Sequence, residues 1–166
     1  MTTAKQDPAL LDAIKIAMEA EKKAAAAYGD AANQTANPLG KRLFNKLVEF
    51  ENYHYQKLSD LLASLVDEGT FIEYVFQASS LPAPGEVESI PEANKMSMMK
   101  IVKTAQGIEQ KAEQRYDDLA AQTADPSGKA MFERLAKEEA AHYRLLRTVY
   151  WNLNDQGTWA WPEELK

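Results

Sequence analysis

The sequence predicts an all-α fold: a four-helix bundle whose second and third helices are joined by a long crossover. Apolar residues recur at helical spacing over four stretches, each marked by a capping signal or a breaker. The chain also repeats itself. Shifted by 88 residues without a gap, Glu21 falls on Glu109, Tyr28 on Tyr116, Gln34-Thr35-Ala36 on Gln122-Thr123-Ala124, Pro38 on Pro126, Gly40 on Gly128, Phe44 on Phe132 and His54-Tyr55 on His142-Tyr143. Two copies of about forty residues are too few for a solenoid, and each reads as one helical hairpin. Between the copies lies a segment of different character, 69–94, rich in aromatic residues and then in proline.

Helix 1 is expected from the Asp7-Pro8 cap, with proline at the first helical position, to about Ala32. Its inward stripe reads Leu10 or Leu11, Ile14, Met18, Glu21, Ala25 and Tyr28, so Glu21 stands where a leucine is expected. After the short connection 33–37, Asn37-Pro38 opens helix 2. The stripe Phe44, Leu47, Glu51, His54, Leu58 and Leu65 turns Glu51 and His54 inward, and Gly69 marks the end. The run Phe71 to Phe76 reads equally as a short helix or a strand packed outside, and Pro82, Pro84, Gly85 and Pro91 follow. In a dyad-related pair of hairpins this crossover returns along a helix of about 25 residues, about 37 Å. Extended chain, at about 3.3 Å per residue, covers that easily.

Helix 3 begins between Pro91 and Lys95 and carries Met98, Val102, Ala105, Glu109, Ala112, Tyr116 and Leu119 on one stripe. Asp125-Pro126 opens helix 4, with Leu135, Glu139, His142, Leu146 and Val149 facing inward. The domain reading is a single unit, 1–166, with hairpins at about 8–67 and 93–152, the crossover at 68–92 and a tail at 153–166. Beyond about Asn152 the periodicity fades. Trp159 and Trp161 in the tail require a surface, in this subunit or in a partner, which makes a homodimer an expectation.

At 166 residues the chain suits one domain with a real core. It contains no cysteine, so disulfides, thiolate metal sites and thiol catalysis are excluded, and an iron–sulfur electron carrier would have to be another protein. A net charge of −6 with no clustered basic face argues against a nucleic-acid partner. The start lacks a signal-peptide core, and no apolar run approaches the roughly 20 residues of a membrane span. No membrane partner and a cytoplasmic location are the expectation.

The chain has two histidines, and each follows a glutamate by three residues: Glu51/His54 and Glu139/His142. Positions i and i+3 share a helix face, so each pair offers a carboxylate oxygen and an imidazole nitrogen to one point. A single glutamate on an apolar stripe is more often a boundary residue reaching for water, and a lone core histidine more often a hydrogen-bonded structural group. Four glutamates, Glu21, Glu51, Glu109 and Glu139, at matching depths on four helices form a different pattern. Burying each charge costs several kcal/mol, and like charges add to that cost. Two divalent cations would balance four carboxylates. A carboxylate-rich set with one imidazole per ion suits iron or manganese better than structural zinc. Tyr28 and Tyr116 read equally as core aromatics or as donors to a metal-bound carboxylate. Tyr55 and Tyr143 read as packing residues, and Glu49 and Glu138, with no histidine at +3, are left out of the set.

Glu21 and Glu109, each with a tyrosine seven residues on, together with the two Glu-x-x-His pairs, make the span from Leu10 to Tyr150 resemble the ferritin-like di-iron proteins of the rubrerythrin group. The resemblance implies a ferritin-like bundle holding two iron ions, with manganese or zinc as substitutes on isolation. It makes Glu21 and Glu109 terminal ligands, Glu51 and Glu139 bridges, and His54 and His142 ligands to one ion each. Two departures follow. Rubrerythrins carry a cysteine-ligated rubredoxin domain, which has no counterpart here, so an external electron-donor protein is implied. They also carry an extra glutamate three residues after the helix 3 ligand, where this chain has Ala112, matching Ala24 in helix 1. The expected site is therefore symmetric and closer to that of bacterioferritins. Asn52 stands where those have a haem-binding methionine, so no haem is expected. The implied activity is reduction of hydrogen peroxide or dioxygen with oxidation of a di-ferrous centre. The alternatives are a ferroxidase or iron-storage protein, a di-iron hydroxylase with a channel past Ala25, Ala105, Gly107 and Ala112, and a bundle that only mediates contacts.

Overall fold

A computed structural model describes residues 7–75 and 90–160. The described residues contain four helices: α1 (Pro8–Gln34), α2 (Pro38–Asp67), α3 (Lys95–Gln122) and α4 (Pro126–Gln156). Two short strands accompany them, β1 (Ile90–Pro91) before α3 and β2 (Thr158–Trp159) after α4. Asp7, Asn37 and Asp125 each accept a hydrogen bond from a backbone N–H two residues on, with proline next in the chain, and so fix the starts of α1, α2 and α4. The ends of α1 and α3 match one another. Thr35 and Thr123 turn their hydroxyls back onto the carbonyls of Ala31 and Leu119, both at 2.6 Å.

The buried positions of α1, Ile14, Ala17, Glu21, Ala24, Tyr28 and Ala31, alternate in steps of three and four. So do Phe44, Leu47, Glu51, His54, Leu58, Leu61 and Leu65 in α2. This spacing keeps one seam facing the neighbouring helices and gives the shallow crossing of a four-helix bundle. In α1 the seam runs through Ala17 and Ala24, one position from the expected Met18 and Ala25, which are half-buried.

The core is two apolar halves with the glutamate layer between them. One holds Tyr28, Phe44, Leu47, Val102, Ala105, Leu146 and Val149. The other holds Tyr116, Phe132, Leu135, Ile14, Ala17, Leu58 and Leu61. Each residue of the first half is 88 positions from one of the second, so the two hairpins are related by a pseudo-dyad that passes through the carboxylates.

The dyad extends further than the sequence reading took it. Helix α4 runs to Gln156, past the expected end at Asn152, and stops on Gly157 at φ 65°, the partner of Gly69 at φ 72°. Behind each glycine a threonine and an aromatic residue return to the opposite hairpin. Phe71 lies on Gly128 and Trp159 on Gly40, and a Cβ on either glycine would collide with the ring. Trp159 is fully buried and meets Phe44 edge-on, so it is covered by its own chain and gives no reason to expect a dimer. Its indole N–H donates to Glu92 at 2.6 Å, and β2 pairs antiparallel with β1, Ile90 opposite Trp159.

Of the aromatic run in the crossover, residues 71–75 are neither helix nor strand. Phe76, Pro82, Pro84, Gly85 and Trp161 lie outside the described residues. Among the described residues no helix is long and apolar enough to cross a membrane.

Candidate metal centre

Midway along the bundle, each helix replaces one apolar seam residue with glutamate. Glu21, Glu51, Glu109 and Glu139 are at most 1% exposed, and His54 and His142 are buried beside them. The imidazole rings face one another, centroids 6.1 Å apart. His54 Nδ1 lies 2.9 Å from Glu139 Oε1 and 3.6 Å from Glu51 Oε2. His142 Nδ1 lies 3.1 Å from Glu139 Oε2 and 3.6 Å from Glu109 Oε2.

Two sets of potential ligand atoms result, each within 4.8 Å of one another: Glu21, Glu51, His54 and Glu139, and Glu51, Glu109, Glu139 and His142. They share Glu51 and Glu139. All six residues expected from the sequence thus meet at one interior point, with the two helix 2 and helix 4 glutamates common to both sets.

The fit to cations is visible in what protein groups leave unsatisfied. Four of the five buried side-chain nitrogen or oxygen atoms lacking a hydrogen bond among the described residues belong here: Glu51 Oε1, His54 Nδ1, Glu109 Oε2 and Glu139 Oε1. The short approach of His54 Nδ1 to Glu139 Oε1 lacks hydrogen-bond alignment, so the two atoms converge on a common point without bonding each other. Buried polar atoms left in this way cost about 1–3 kcal/mol each.

The titration pattern has the same origin. Burial, reinforced by the charge of Glu139, pushes Glu51 and Glu21 above the usual carboxylate range and Glu109 up to about 8. Glu139 goes the other way. Burial acts to raise it too, but the charges of His54 and His142 and the hydrogen bond from His142 outweigh that and hold it well below its ordinary value. Burial opposes protonation of the histidines, yet Glu139 lifts His54, and the neighbouring carboxylates of Glu109 and Glu139 lift His142 to about 9. Protons occupy the cluster where cations would otherwise neutralise it.

The tyrosines act across the dyad. Tyr28 donates to Glu109 Oε1 at 2.5 Å, and Tyr116 donates to Glu21. Each fixes the glutamate of the opposite hairpin, so the spacing of seven within a helix marks the layer and leaves the partner to the fold. Tyr55 and Tyr143 are only half-buried. A cavity of about 320 Å³ opens between α1 and α3 onto Glu21, Glu51 and Glu109, walled by Ala24 and Ala112 with Lys23, Lys111 and Arg115 around it.

Glu138, which stays outside both ligand sets, nonetheless bears on the site. Glu138 is 8% exposed and accepts from His54 Nε2 at 2.8 Å, on the ring edge away from the cluster, while Tyr74 donates to it at 2.8 Å and Arg134 at 3.2 Å. Its relation to His54 spans two helices, and a search for histidine at +3 passes over it. The 88-residue shift shows it as a break in the repeat, since its counterpart is Phe50. Glu49 is exposed and pairs with Lys46.

A rubrerythrin family model matches residues 2–62. Among solved structures, a two-domain protein from Anabaena variabilis containing a ferritin-like domain superimposes with a TM-score of 0.66 at 16% identity, over 92% of this chain and 38% of that protein. The chain is rubrerythrin-like, and its fold is ferritin-like. A hypothetical protein from Pyrococcus furiosus also matches this rubrerythrin-like chain, with a TM-score of 0.68 and 25% identity over 88% of this chain and 90% of the other. No curated protein matches it. The rubrerythrin match contains Glu21, Glu51 and His54. Glu109, Glu139 and His142 lie beyond it and are tied to it by the internal repeat.

Proposed function

We propose that the chain is a di-iron oxidoreductase in which Glu21, Glu51, His54, Glu109, Glu139 and His142 hold two iron ions and which reduces hydrogen peroxide or dioxygen. The observation that carries this reading is the pair of buried ligand sets sharing Glu51 and Glu139. Residues common to both sets would let two ions be held side by side, and the rubrerythrin match supports iron as the metal. When bound, the ferrous pair supplies two electrons, which with two protons convert one hydrogen peroxide to two waters and leave both ions ferric. The electrons are restored by an external donor protein, since no cysteine occurs in the chain to hold an iron–sulfur centre.

The chain's own residues prepare the site. Glu51 and Glu139, common to both ligand sets, would hold both ions and balance their charge. Tyr28 and Tyr116 hold Glu109 and Glu21 in fixed orientations, and the apolar halves above and below exclude bulk water. The cavity between α1 and α3 gives a small oxidant a path to Glu21 and Glu109 without opening the bundle.

The test loads the metal-free protein with Fe(II) under anaerobic conditions and compares oxidation by H2O2 and by O2. Faster oxidation by H2O2, saturating at two irons per chain, is the expected result for peroxide reduction. Rapid O2 oxidation with iron accumulating as mineral beyond two per chain would replace it with the ferroxidase reading. The same cavity favours one further reading, hydroxylation of a small organic substrate. A small apolar molecule that slows access of H2O2 and is recovered oxygenated would support it.

A further inference from the structure

We infer that the two metal positions are unequal and that Glu138 makes the position at Glu21 and His54 the tighter one, an inference that rests on the di-iron reading above. The pseudo-dyad relates nearly every group around the carboxylate layer to a chemically similar one, and this is where it fails. His54 Nε2 meets the Glu138 carboxylate at 2.8 Å. The counterpart of Glu138 is Phe50, whose ring packs against the His142 ring with centroids 4.6 Å apart, and His142 makes no hydrogen bond outward among the described residues. The difference reaches the next neighbours. Arg134 donates to Glu138, whereas its counterpart Lys46 sits 5.8 Å over the Phe50 ring and pairs with Glu49. Tyr74, from the stretch following α2, closes over Glu138 with a third hydrogen bond.

The consequence is chemical. A carboxylate accepting the outer N–H of a ligating imidazole fixes its tautomer, so that Nδ1 presents a lone pair inward, and raises its basicity as a donor. His54 has that partner, itself held by Tyr74 and Arg134. On its outer side His142 has only the packing of the Phe50 ring among the described residues. Glu138 is therefore a positioning residue for one ion of two. It is not a ligand, because His54 lies between it and the cluster.

The experiment supplies one equivalent of Mn(II) per chain to metal-free protein, crystallises it and reads the two occupancies by anomalous scattering at the manganese edge. In the wild type the Glu21/His54 position should be the more occupied by at least several-fold. Loss of such a partner typically weakens a metal site by about 10–100-fold, so Glu138→Ala should bring the ratio to one or below, with Glu138→Gln, which keeps an acceptor without the charge, in between. Thermal melting of the metal-free variants separates this from a merely structural effect. The inference requires the ratio to change while melting of Glu138→Gln stays close to wild type. Equal occupancy in the wild type, or a wild-type ratio retained in Glu138→Ala, overturns the inference and leaves the di-iron reading standing. No manganese at either position overturns both.

Discussion

Glu139 is the residue on which the cluster turns, belonging to both ligand sets and lying near both histidines. It stays ionised while Glu109 and His142 keep protons up to about 8 and 9. For those two groups the folded-state value lies above the ordinary one, so the folded state binds more protons and is stabilised at low pH. That contribution fades as pH rises through the folded values. The metal-free protein should therefore melt at progressively lower temperature between about pH 6.5 and 9, and saturating metal, which displaces the same protons, should flatten the profile. Melting curves of both forms across that range check it. Metal affinity should rise with pH over the same window, with proton release on binding measurable by calorimetry in buffers of different ionisation enthalpy. Removing a tyrosine hydroxyl acts on the same network. Tyr116→Phe leaves Glu21 without its donor and should weaken metal binding while costing about 1–3 kcal/mol or less in the metal-free fold, read by denaturant titration. The six ligand candidates were legible because each violates an apolar stripe at a position that the repeat duplicates. Glu138 was not, because its meaning comes from His54 on another helix and from Tyr74, 64 residues away on irregular backbone.

At the scale of elements, helix starts were readable to the residue where a side chain and a proline act together, as at Asp7-Pro8, Asn37-Pro38 and Asp125-Pro126. The far end of α4 was misjudged because its last turns, from Leu153 to Gln156, alternate too few apolar residues to show a period. The glycine that ends it was the better signal. Gly69-Thr70-Phe71 and Gly157-Thr158-Trp159 are one motif written twice, and its use is to latch each hairpin to the first turn of the second helix of the other. Trp159→Ala should cost about 3–5 kcal/mol in unfolding free energy because it empties a fully buried site against Phe44 and Gly40. Gly40→Ala and Gly128→Ala should each cost about 1–3 kcal/mol by overfilling the same two contacts. Denaturant titration measures all three, and metal stoichiometry should survive them, since the latches lie away from the carboxylates.

For the whole molecule, the pseudo-dyad explains why one hairpin's sequence forecasts the other and why the core divides evenly above and below the glutamate layer. The bundle and its central layer could be read from the sequence because both follow from local periodicity and duplication. The crossed tyrosine bonds could not, since a period says which face a residue occupies and is silent on which neighbour faces it. The central claim is that four helices each contribute a carboxylate to a single pair of cations, shared through Glu51 and Glu139. Counting metal per chain after loading and desalting, in the wild type, Glu139→Ala and Glu138→Ala, tests it most directly. The account predicts two ions in the wild type, at most one in Glu139→Ala, and two in Glu138→Ala at saturating metal; a wild type that retains none, or Glu139→Ala that retains two, would contradict it.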